Sequence, residues 1–595
     1  MHTRTALWAL CLPFAVGCGP SSAPESSAST AQAETFLQSE LGTNEVSESS
    51  ERAPIAATER VLLISVDGMH EVDLANWIAA HPASTLARLA STGIQYAAAR
   101  TSTPSDSFPG TLAFATGGTP KSTGVYYDDS YDRTIYPPGQ GCTGNPGTEA
   151  IFDESIDFDS TKLFSGGINE AYLPHQKNAQ GICTVVYPHD FVKDNTIFEV
   201  IKFAGGYTAW SDKHPAYEIL KGPSGLGIDD LYTPEQASLI SNAPAGTVNG
   251  VDLGATLAQC NGTTNSLPIA ELSDYTTCEP AAFAYDEVKV HAILNEIEGK
   301  RSDGSGRARV PTLFGMNFQA VSVGQKLTVG GYIDAAGTPS PLLGSAIAFV
   351  DESIGKMVHA LRARDLLDST LIVVTAKHGQ SPIDKTKLHM EAGGNGIATV
   401  QDPISFIDSV DDNIGNHPST FVNPNSGIPY DTDGHLTTDD VGILWVQHAL
   451  DATSTSSLVV ALESNATAMS ADTLPPGTVF SSNITSGPLL AALFGDPKSA
   501  DPVAAARAPD VFIQPNWGTI YSGSSKKIAE HGGGTIDDTH VALLVSLPGF
   551  GSGRSVSEPV TTTQIAPTIL RALHLDPASL ESVNKEGTRV LPTLF

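Results

Sequence analysis

Basic residues are scarce in this chain of 595 residues, which has 33 Lys and Arg against 65 Asp and Glu and a formal net charge of -32. Nucleic-acid binding through phosphate neutralisation needs clustered basic residues, and the sequence has no such cluster. The absence of a basic cluster argues against binding of nucleic acid to a basic surface of this protein. An anionic substrate would need local positive charge from metal ions, arginines or lysines.

Cysteine is also rare, and four of the six cysteines follow the N-terminal segment: Cys142, Cys183, Cys260 and Cys278. None of the four has the close CxxC spacing of a structural zinc site. An even count in an oxidising compartment predicts two disulfides. Three connectivities are possible, and chain order favours Cys142–Cys183 with Cys260–Cys278.

The N-terminus lacks an apolar run long enough to span a bilayer comfortably, because "ALWALCLPFAV" after "MHTR" is short. We interpret residues 1–18 as a secretion signal that resembles a bacterial lipoprotein signal, with Cys18 acylated; an ordinary cleaved signal is the alternative. Gly19 after the cysteine favours the outer membrane. Residues 19–58 are rich in Ser, Ala, Glu and Thr and are expected to form a flexible tether. The predicted location is the periplasm or cell surface of a bacterium, with membrane contact only through the lipid anchor.

From residue 59 to 595 the hydrophobic pattern alternates between apolar strands and amphipathic helices. "VLLISV", "LFGMNFQAV", "TLIVVTA" and "HVALLVS" are typical of strands buried on both faces. The alternation predicts an α/β fold, a three-layer sandwich with a mainly parallel central sheet. Turn-rich insertions near 130–190, 215–285 and 385–440 are too long for plain connections and are expected to cap the strand ends. The sequence gives no indication of the oligomeric state.

Polar residues follow the predicted strands, at the edge where open α/β sheets bind ligands. Carboxylate, imidazole and hydroxyl groups that meet there can form a divalent metal site with a serine nucleophile. Taken one at a time, an Asp-Gly pair is an ordinary turn and a single histidine an ordinary surface residue. Roles as ligands, substrate contacts or plain turn residues stay open for Asp212, His214, Asp538 and His540. The residues at these positions are Asp67, Ser107, Asp212, Lys213, His214, Asp334, Lys377, His378, His531, Asp537, Asp538 and His540.

The order of these motifs resembles the alkaline phosphatase superfamily. "LLISVDGM", "PSDSFPGTLAFATGGTPKSTGVYYDD", a strand-final "HG" and "EHGG" are similar to its type I phosphodiesterase/nucleotide pyrophosphatase branch. The segment "TTTQIAPTILRALHLDPASL" is similar to the closing helix of the superfamily. The resemblance covers roughly residues 60 to 590 apart from the insertions.

The resemblance implies that Ser107 is the nucleophile and binds metal together with Asp67 and His378. It assigns His531 to a second ion. "DAAGT" is similar to the family's Asp-x-x-Gly-His ligand pair and makes Asp334 a ligand, with Thr338 at the histidine position. A rival alignment places Val321 and Gln325 at these two positions and removes both ligands.

Two departures mark the chain as divergent. Lys377 stands where the family has an aspartate, and Gly110 stands where it has an asparagine. A protonated lysine cannot bind a cation, but it can supply part of the electrostatic stabilisation. We therefore favour one divalent ion plus Lys377 over two ions, with Zn²⁺ expected and Mn²⁺, Mg²⁺ or Ca²⁺ possible. The alternative is that Lys377 extends from the strand end to solvent.

The resemblance implies a secreted, metal-dependent hydrolase of small-molecule phosphate esters, diesters rather than monoesters, that acts through a phospho-serine at Ser107. One alternative is a degenerate member that binds a ligand or partner without catalysis. Another is a sulfuric ester hydrolase. That branch uses a Cys/Ser-x-Pro-x-Arg motif, of which Pro109 is present while Thr111 stands at the arginine position.

Overall fold

The computed structural model describes residues 58–260, 272–391, 434–447, 456, 459–460, 474, 477–480, 482–521, 527–547 and 553–595. The predicted signal (1–18) and its acylated Cys18 lie outside the described residues, as does the tether apart from Thr58. Most of the insertion predicted near 385–440 also lies outside them.

An eight-stranded sheet forms the centre of the molecule. Its strands, in chain order, are β1 (Arg60–Val66), β2 (Ile94–Tyr96), β3 (Ala209–Ser211), β4 (Asp230–Tyr232), β5 (Leu313–Phe318), β6 (Thr370–Thr375), β7 (Leu543–Ser546) and β8 (Arg554–Val556). The spatial order is β8-β2-β7-β6-β1-β5-β3-β4. β7 pairs antiparallel with β6 and β2, and the other neighbours pair in parallel. The prediction of a mainly parallel sheet is confirmed.

Helices cover both faces of this sheet. The principal ones are α1 (Glu71–Ala80), α2 (Thr85–Thr92), α3 (Ser107–Thr116), α4 (Ile197–Phe203), α5 (Glu279–Ile297), α6 (Ala320–Lys326), α7 (Pro341–Ala363) and α8 (Ile565–Ala572). Alternate residues of β1 explain the layering: Val61 and Leu63 pack with α3, α4 and α8, while Leu62 and Ile64 pack with α1, α2, α5 and α7. This is the predicted three-layer sandwich.

Shorter elements fill the connections. The short α-helices are Pro120–Thr123, Pro188–Phe191, Thr256–Cys260, Gly487–Phe494, Pro502–Arg507, Ile536–Thr539 and Glu581–Glu586, and 3-10 turns include Glu154–Ile156 and Pro215–Lys221. A four-stranded antiparallel sheet contains Gly434–Thr438, Gly442–Val446, Val511–Ile513 and Ile484–Ser486. Two-stranded pairs join Asp129–Asp132 with Thr148–Ile151, His175–Lys177 with Cys183–Val185, His389–Glu391 with Thr519–Tyr521, and Ala99–Arg100 with Val560–Thr561.

Two disulfides connect the cysteines as predicted, Cys142 with Cys183 and Cys260 with Cys278. The second insertion differs in part from the expected cap, because β4 within it pairs in parallel with β3 and extends the central sheet. No helix among the residues described above is long and apolar enough to cross a bilayer.

Candidate active site

The candidate active site lies at the carboxyl ends of β1, β3, β5 and β6, which are neighbours in the sheet. Asp67 follows β1, and Lys377 with His378 follows β6. Asp212 and Lys213 follow β3. Parallel strands end at the same sheet edge, so residues that are far apart in the sequence meet there.

Ser107 is the first residue of α3 and is almost completely buried. The preceding Asp106 caps the helix, with its side chain accepting a hydrogen bond from the Phe108 N–H at 3.2 Å. Lys213 Nζ donates to Ser107 Oγ at 3.1 Å, and His378 Nε2 lies 3.4 Å from the same oxygen. The serine oxygen therefore sits at a helix N-terminus beside an ammonium group, an environment that favours an alkoxide.

Asp67 is buried and lies among cationic and amide groups. Its Oδ2 accepts hydrogen bonds from Asn317 Nδ2 at 3.0 Å and from Gln319 Nε2. Burial alone would raise the pKa of Asp67, but Lys377, Lys213 and His378 hold this pKa far below its ordinary value. The carboxylate is therefore ionised near pH 7.

Two histidines stack beside this carboxylate, with the ring centroids of His378 and His531 3.9 Å apart. Burial lowers the pKa of His378 to about 3 and the pKa of His531 well below its usual value. Both imidazoles are therefore neutral near pH 7, the form that binds metal ions. His378 Nδ1 lies 2.8 Å from the Gly379 carbonyl oxygen, which places the proton on Nδ1 and leaves the Nε2 lone pair facing Ser107 and Asp67.

The donor atoms around Ser107 fit one divalent cation. His378 Nε2 lies 3.4 Å from Ser107 Oγ and 3.7 Å from Asp67 Oδ1. Asp67 Oδ1 is buried and has no hydrogen-bond partner among the described residues. A carboxylate, an imidazole and a hydroxyl form the kind of three-ligand set that leaves room for substrate on a catalytic zinc ion.

A second ion has fewer donors here. His531 Nδ1 lies 3.6 Å from Asp106 Oδ1, and neither atom has a hydrogen-bond partner within the part of the chain that is described. Asp334 does not join them. It lies in an exposed turn, where its Oδ1 accepts hydrogen bonds from the Ala336 and Thr338 N–H groups at 3.0 and 3.1 Å.

With Asp334 outside the site, the residues of the rival alignment are the other candidates. Val321 and Gln325 lie on α6, which directly follows β5 at the site edge of the sheet. Val321 belongs to the hydrophobic core, and Gln325 Nε2 donates to the Gly68 carbonyl oxygen at 2.7 Å. A valine and an engaged amide offer no replacement for the expected Asp and His ligands.

Lys377 is completely buried, which excludes the alternative that it extends to solvent. Its Nζ donates to Asp212 Oδ1 at 3.0 Å and to the Tyr217 hydroxyl at 2.7 Å, and it lies 3.9 Å from Asp67 Oδ1. Burial lowers the pKa of Lys377, while Asp212 and Asp67 oppose this shift. Lys377 therefore acts on Asp67 and Asp212, whereas Lys213 is the ammonium that contacts the nucleophile.

Lys213 is the important residue to which the sequence assigned no role. Burial opposes its charge, but Asp67 at 3.7 Å and Asp212 raise its pKa above the ordinary value, so it is protonated. Its position directly after β3 is the one signal in the sequence that points to the site. The direction of its side chain across the site to Ser107 has no sequence signature.

The residues with open roles lie around this centre rather than in it. Asp212 accepts hydrogen bonds from Trp210 Nε1 at 2.9 Å and from Lys377, so its carboxylate is already engaged. Asp538 is buried and accepts from Thr535, and His540 Nε2 lies 3.0 Å from the Ala97 carbonyl oxygen. Both stabilise the turn that precedes β7. His214 pairs with a buried glutamate away from Ser107 and is considered below.

Close packing at position 110 explains why glycine stands where the family has an asparagine. A Cβ atom at this position of α3 would lie 2.1 Å from the carbonyl oxygen of Lys377. The helix that carries Ser107 therefore approaches the backbone of the Lys377 loop too closely for any side chain. An asparagine at position 110 would not fit.

A cavity of about 260 Å³ opens over the site and is large enough for a small-molecule ligand. Asp67, Lys213, His378 and His531 line it, together with cationic and polar side chains at its rim. Lys326 and Lys527 at the rim both pair with Glu530, at 2.7 and 2.8 Å. Lys213, Lys326 and Lys527 thus bring ammonium groups to a cavity that Asp67 and Asp274 also line, although the chain as a whole is acidic.

Comparisons with known proteins identify a family for the chain. The model of the type I phosphodiesterase / nucleotide pyrophosphatase family matches residues 61–211 and 322–533, which is more than half of the chain. No curated protein sequence matches the chain significantly.

Two solved structures match the chain at low sequence identity. Alkaline phosphatase PafA is 14% identical, with a TM-score of 0.52 over 88% of this chain and 97% of PafA. Murine ectonucleotide pyrophosphatase / phosphodiesterase 5 is 13% identical, with a TM-score of 0.46 over 87% of this chain and 96% of the murine one. An inactive variant of the murine protein is known in complex with AMP. The extent of the family match decides the assignment: this chain belongs to the type I phosphodiesterase/nucleotide pyrophosphatase family of phosphoester hydrolases.

Proposed function

We propose that the protein is a metal-assisted hydrolase of small-molecule phosphate esters, with diesters preferred over monoesters, and that Ser107 is its nucleophile. The observation that carries this proposal is the position of Ser107 Oγ, 3.1 Å from Lys213 Nζ and 3.4 Å from His378 Nε2 below the cavity. The family description, which includes phosphodiesterases and nucleotide pyrophosphatases, supports the diester preference.

Asp67, Ser107 and His378 would hold one divalent cation, with Zn²⁺ the best match to the donor set. Members of the family are metal-dependent. When bound, such an ion lowers the pKa of a coordinated hydroxyl and stabilises negative charge on phosphoryl oxygens. The protein supplies the remaining positive charge through Lys213 at the nucleophile and Lys377 behind Asp67.

In the first step Ser107 Oγ attacks phosphorus, and the bond from phosphorus to the leaving ester oxygen breaks. Lys213 stabilises the deprotonated serine oxygen, and the serine proton passes to water in the cavity. The leaving oxygen takes a proton from water. In the second step a water molecule attacks the phospho-serine, the bond to Ser107 Oγ breaks, and the serine recovers its proton. Lys213 stabilises Ser107 Oγ in both steps.

We place this reaction outside the cytoplasm. The disulfides Cys142–Cys183 and Cys260–Cys278 support an oxidising compartment. We also propose that Cys18 is acylated and anchors the protein to the outer membrane of a bacterium. Cys18 lies outside the described residues.

Turnover of two chromogenic esters tests the proposal. The full chain is stripped with EDTA, reloaded with Zn²⁺, Mn²⁺, Mg²⁺ or Ca²⁺, and assayed on bis(p-nitrophenyl) phosphate and p-nitrophenyl phosphate. We expect metal-dependent hydrolysis of both esters, faster on the diester, and its loss in the Ser107→Ala variant. A folded protein that hydrolyses neither ester with any of these metals would contradict the proposal, as would a Ser107→Ala variant of wild-type activity.

A further inference from the structure

A second cluster of carboxylates with a histidine lies outside the Ser107 site. Glu154 starts a 3-10 turn in the first insertion, His214 follows β3, and Glu235 follows β4. His214 Nδ1 lies 2.8 Å from Glu235 Oε1, and His214 Nε2 lies 3.9 Å from Glu154 Oε2. One ligand atom from each of the three residues lies within 4.8 Å of the others. Three chain segments therefore converge on one small volume.

Asp157 gives the independent reason to see a ligand site here. Its side chain is 1% exposed, and within the described parts of the chain neither Oδ atom has a hydrogen-bond partner of good geometry. It faces the carboxyl group of Glu235 and the Ser165 side chain within hydrogen-bonding range, with His214 nearby. A buried carboxylate directed at a second buried carboxylate is costly unless a cation or a proton lies with them.

The buried carboxyl groups of this cluster hold their protons near pH 7. Burial raises the pKa of both Asp157 and Glu235 to about 8. Burial also lowers the pKa of His214, so the imidazole is neutral and can act as a ligand. A cation that binds here would therefore displace protons from these carboxyl groups.

We propose that Glu154, Asp157, His214 and Glu235 bind a divalent cation of the Zn²⁺ or Mn²⁺ class. One imidazole with three carboxylates is a ligand set that suits these ions. Ca²⁺ is less suited, because it prefers oxygen ligands alone. None of the four residues belongs to the set Asp67, Ser107 and His378, so the cation is additional to the one at the nucleophile.

This second cation would connect the first insertion to the sheet. Glu154 and Asp157 belong to that insertion, while His214 adjoins Lys213, whose Nζ contacts Ser107. An ion bound to His214 would therefore fix the backbone next to Lys213, on the side of the chain away from Ser107. The proposal goes beyond the proposed hydrolysis, because it concerns a binding site that does not include the nucleophile.

Zinc binding to full-length variants tests the site apart from activity. The Asp67→Asn variant removes a ligand of the Ser107 site. A second protein adds Asp157→Asn and Glu235→Gln, which keep the side-chain shapes, and a third adds Asp159→Asn instead as a matched control. Asp159 is a partly exposed acid two residues away that pairs with Lys162. Each protein is dialysed against Zn²⁺ alone, and both its zinc content and its unfolding temperature are measured.

We expect the Asp67→Asn protein and its Asp159→Asn control to retain about one Zn²⁺ per chain and to unfold at a higher temperature with Zn²⁺. The protein with Asp157→Asn and Glu235→Gln should lose both effects. Should it not fold, Glu154→Gln at the more exposed ligand takes its place and should weaken zinc binding at least about tenfold. The inference is overturned if Asp67→Asn protein holds no zinc, or if the cluster variants bind zinc as the control does.

Discussion

Replacing Lys377 by methionine tests the buried pair beneath the site. Lys377 Nζ lies 3.0 Å from Asp212 Oδ1, and both side chains are completely buried. Lys377→Met keeps most of the side-chain volume but removes the ammonium group that donates to the Asp212 carboxylate. Breaking a buried ion pair on one side typically costs about 3–5 kcal/mol, and we expect a loss in this range.

The double variant Lys377→Met with Asp212→Asn separates the charge effect from the loss of packing. It removes both charges, and the amide introduced at position 212 can still accept a hydrogen bond from Trp210 Nε1, which donates to the native carboxylate at 2.9 Å. The free energy of unfolding of the double variant should therefore recover most of what Lys377→Met loses. Activity should not return, because Asp67, 3.9 Å from Lys377, also loses a counter-charge.

Urea unfolding of the four proteins in this cycle gives the coupling energy, and the diester assay gives the activity. Lys356→Met is the matched control, since Lys356 forms an exposed pair with Glu287. An exposed pair of this kind is worth about 0–1 kcal/mol. The reasoning fails if Lys377→Met is as stable as wild type, or if the double variant is no more stable than Lys377→Met.

Three further results are expected. Lys213→Met removes the ammonium at the nucleophile and should lower kcat on the diester about 100- to 1,000-fold, whereas Lys221→Met nearby should not; equal effects would refute the assignment. Gly110→Ala places a Cβ 2.1 Å from a carbonyl oxygen and should destabilise the protein by about 1–3 kcal/mol in urea unfolding; unchanged stability would contradict this close approach. Burial alone would raise the pKa of Asp132, but Arg507 at 2.6 Å holds this pKa below the ordinary aspartate value. The pair therefore stabilises the fold above that ordinary value, and less as the pH falls through the lower folded pKa. Asp132→Asn should therefore cost about 3 kcal/mol at pH 7 and progressively less below pH 4, and a difference that does not change with pH would argue against the pair.

The strands and the nucleophile could be predicted from the sequence because their signals are local. β1 and β6 are continuous apolar runs that end in polar residues, a pattern typical of parallel strands buried on both faces. Ser107 lies in a segment whose order of Pro, Gly and Ser residues resembles the family's nucleophile region. Chain order was also sufficient for both disulfides.

The alignment of Asp334 failed because its motif has two physical meanings. Asp-x-x-Gly is a ligand pattern in the family, but it is also an ordinary turn in which the aspartate accepts backbone hydrogen bonds. The structure shows the turn, with Asp334 bound to the Ala336 and Thr338 N–H groups. A short motif without its strand context cannot separate the two.

The partners of the lysines could not be predicted because they are distant in the sequence. Lys377 pairs with a carboxylate 165 positions away, and Lys213 contacts a hydroxyl 106 positions away. Such contacts depend on which strands are neighbours and on the direction of long side chains at the strand ends. Neither property is encoded in a local pattern.

The most direct test of the central claim is to trap the covalent intermediate on Ser107. The metal-loaded protein is mixed with bis(p-nitrophenyl) phosphate, quenched in acid within one turnover, digested and analysed by mass spectrometry. We predict a p-nitrophenyl phosphoryl group on the peptide that contains Ser107, and no such adduct on the Ser107→Ala protein. Steady turnover with no adduct on that peptide, together with an active Ser107→Ala variant, would contradict the account.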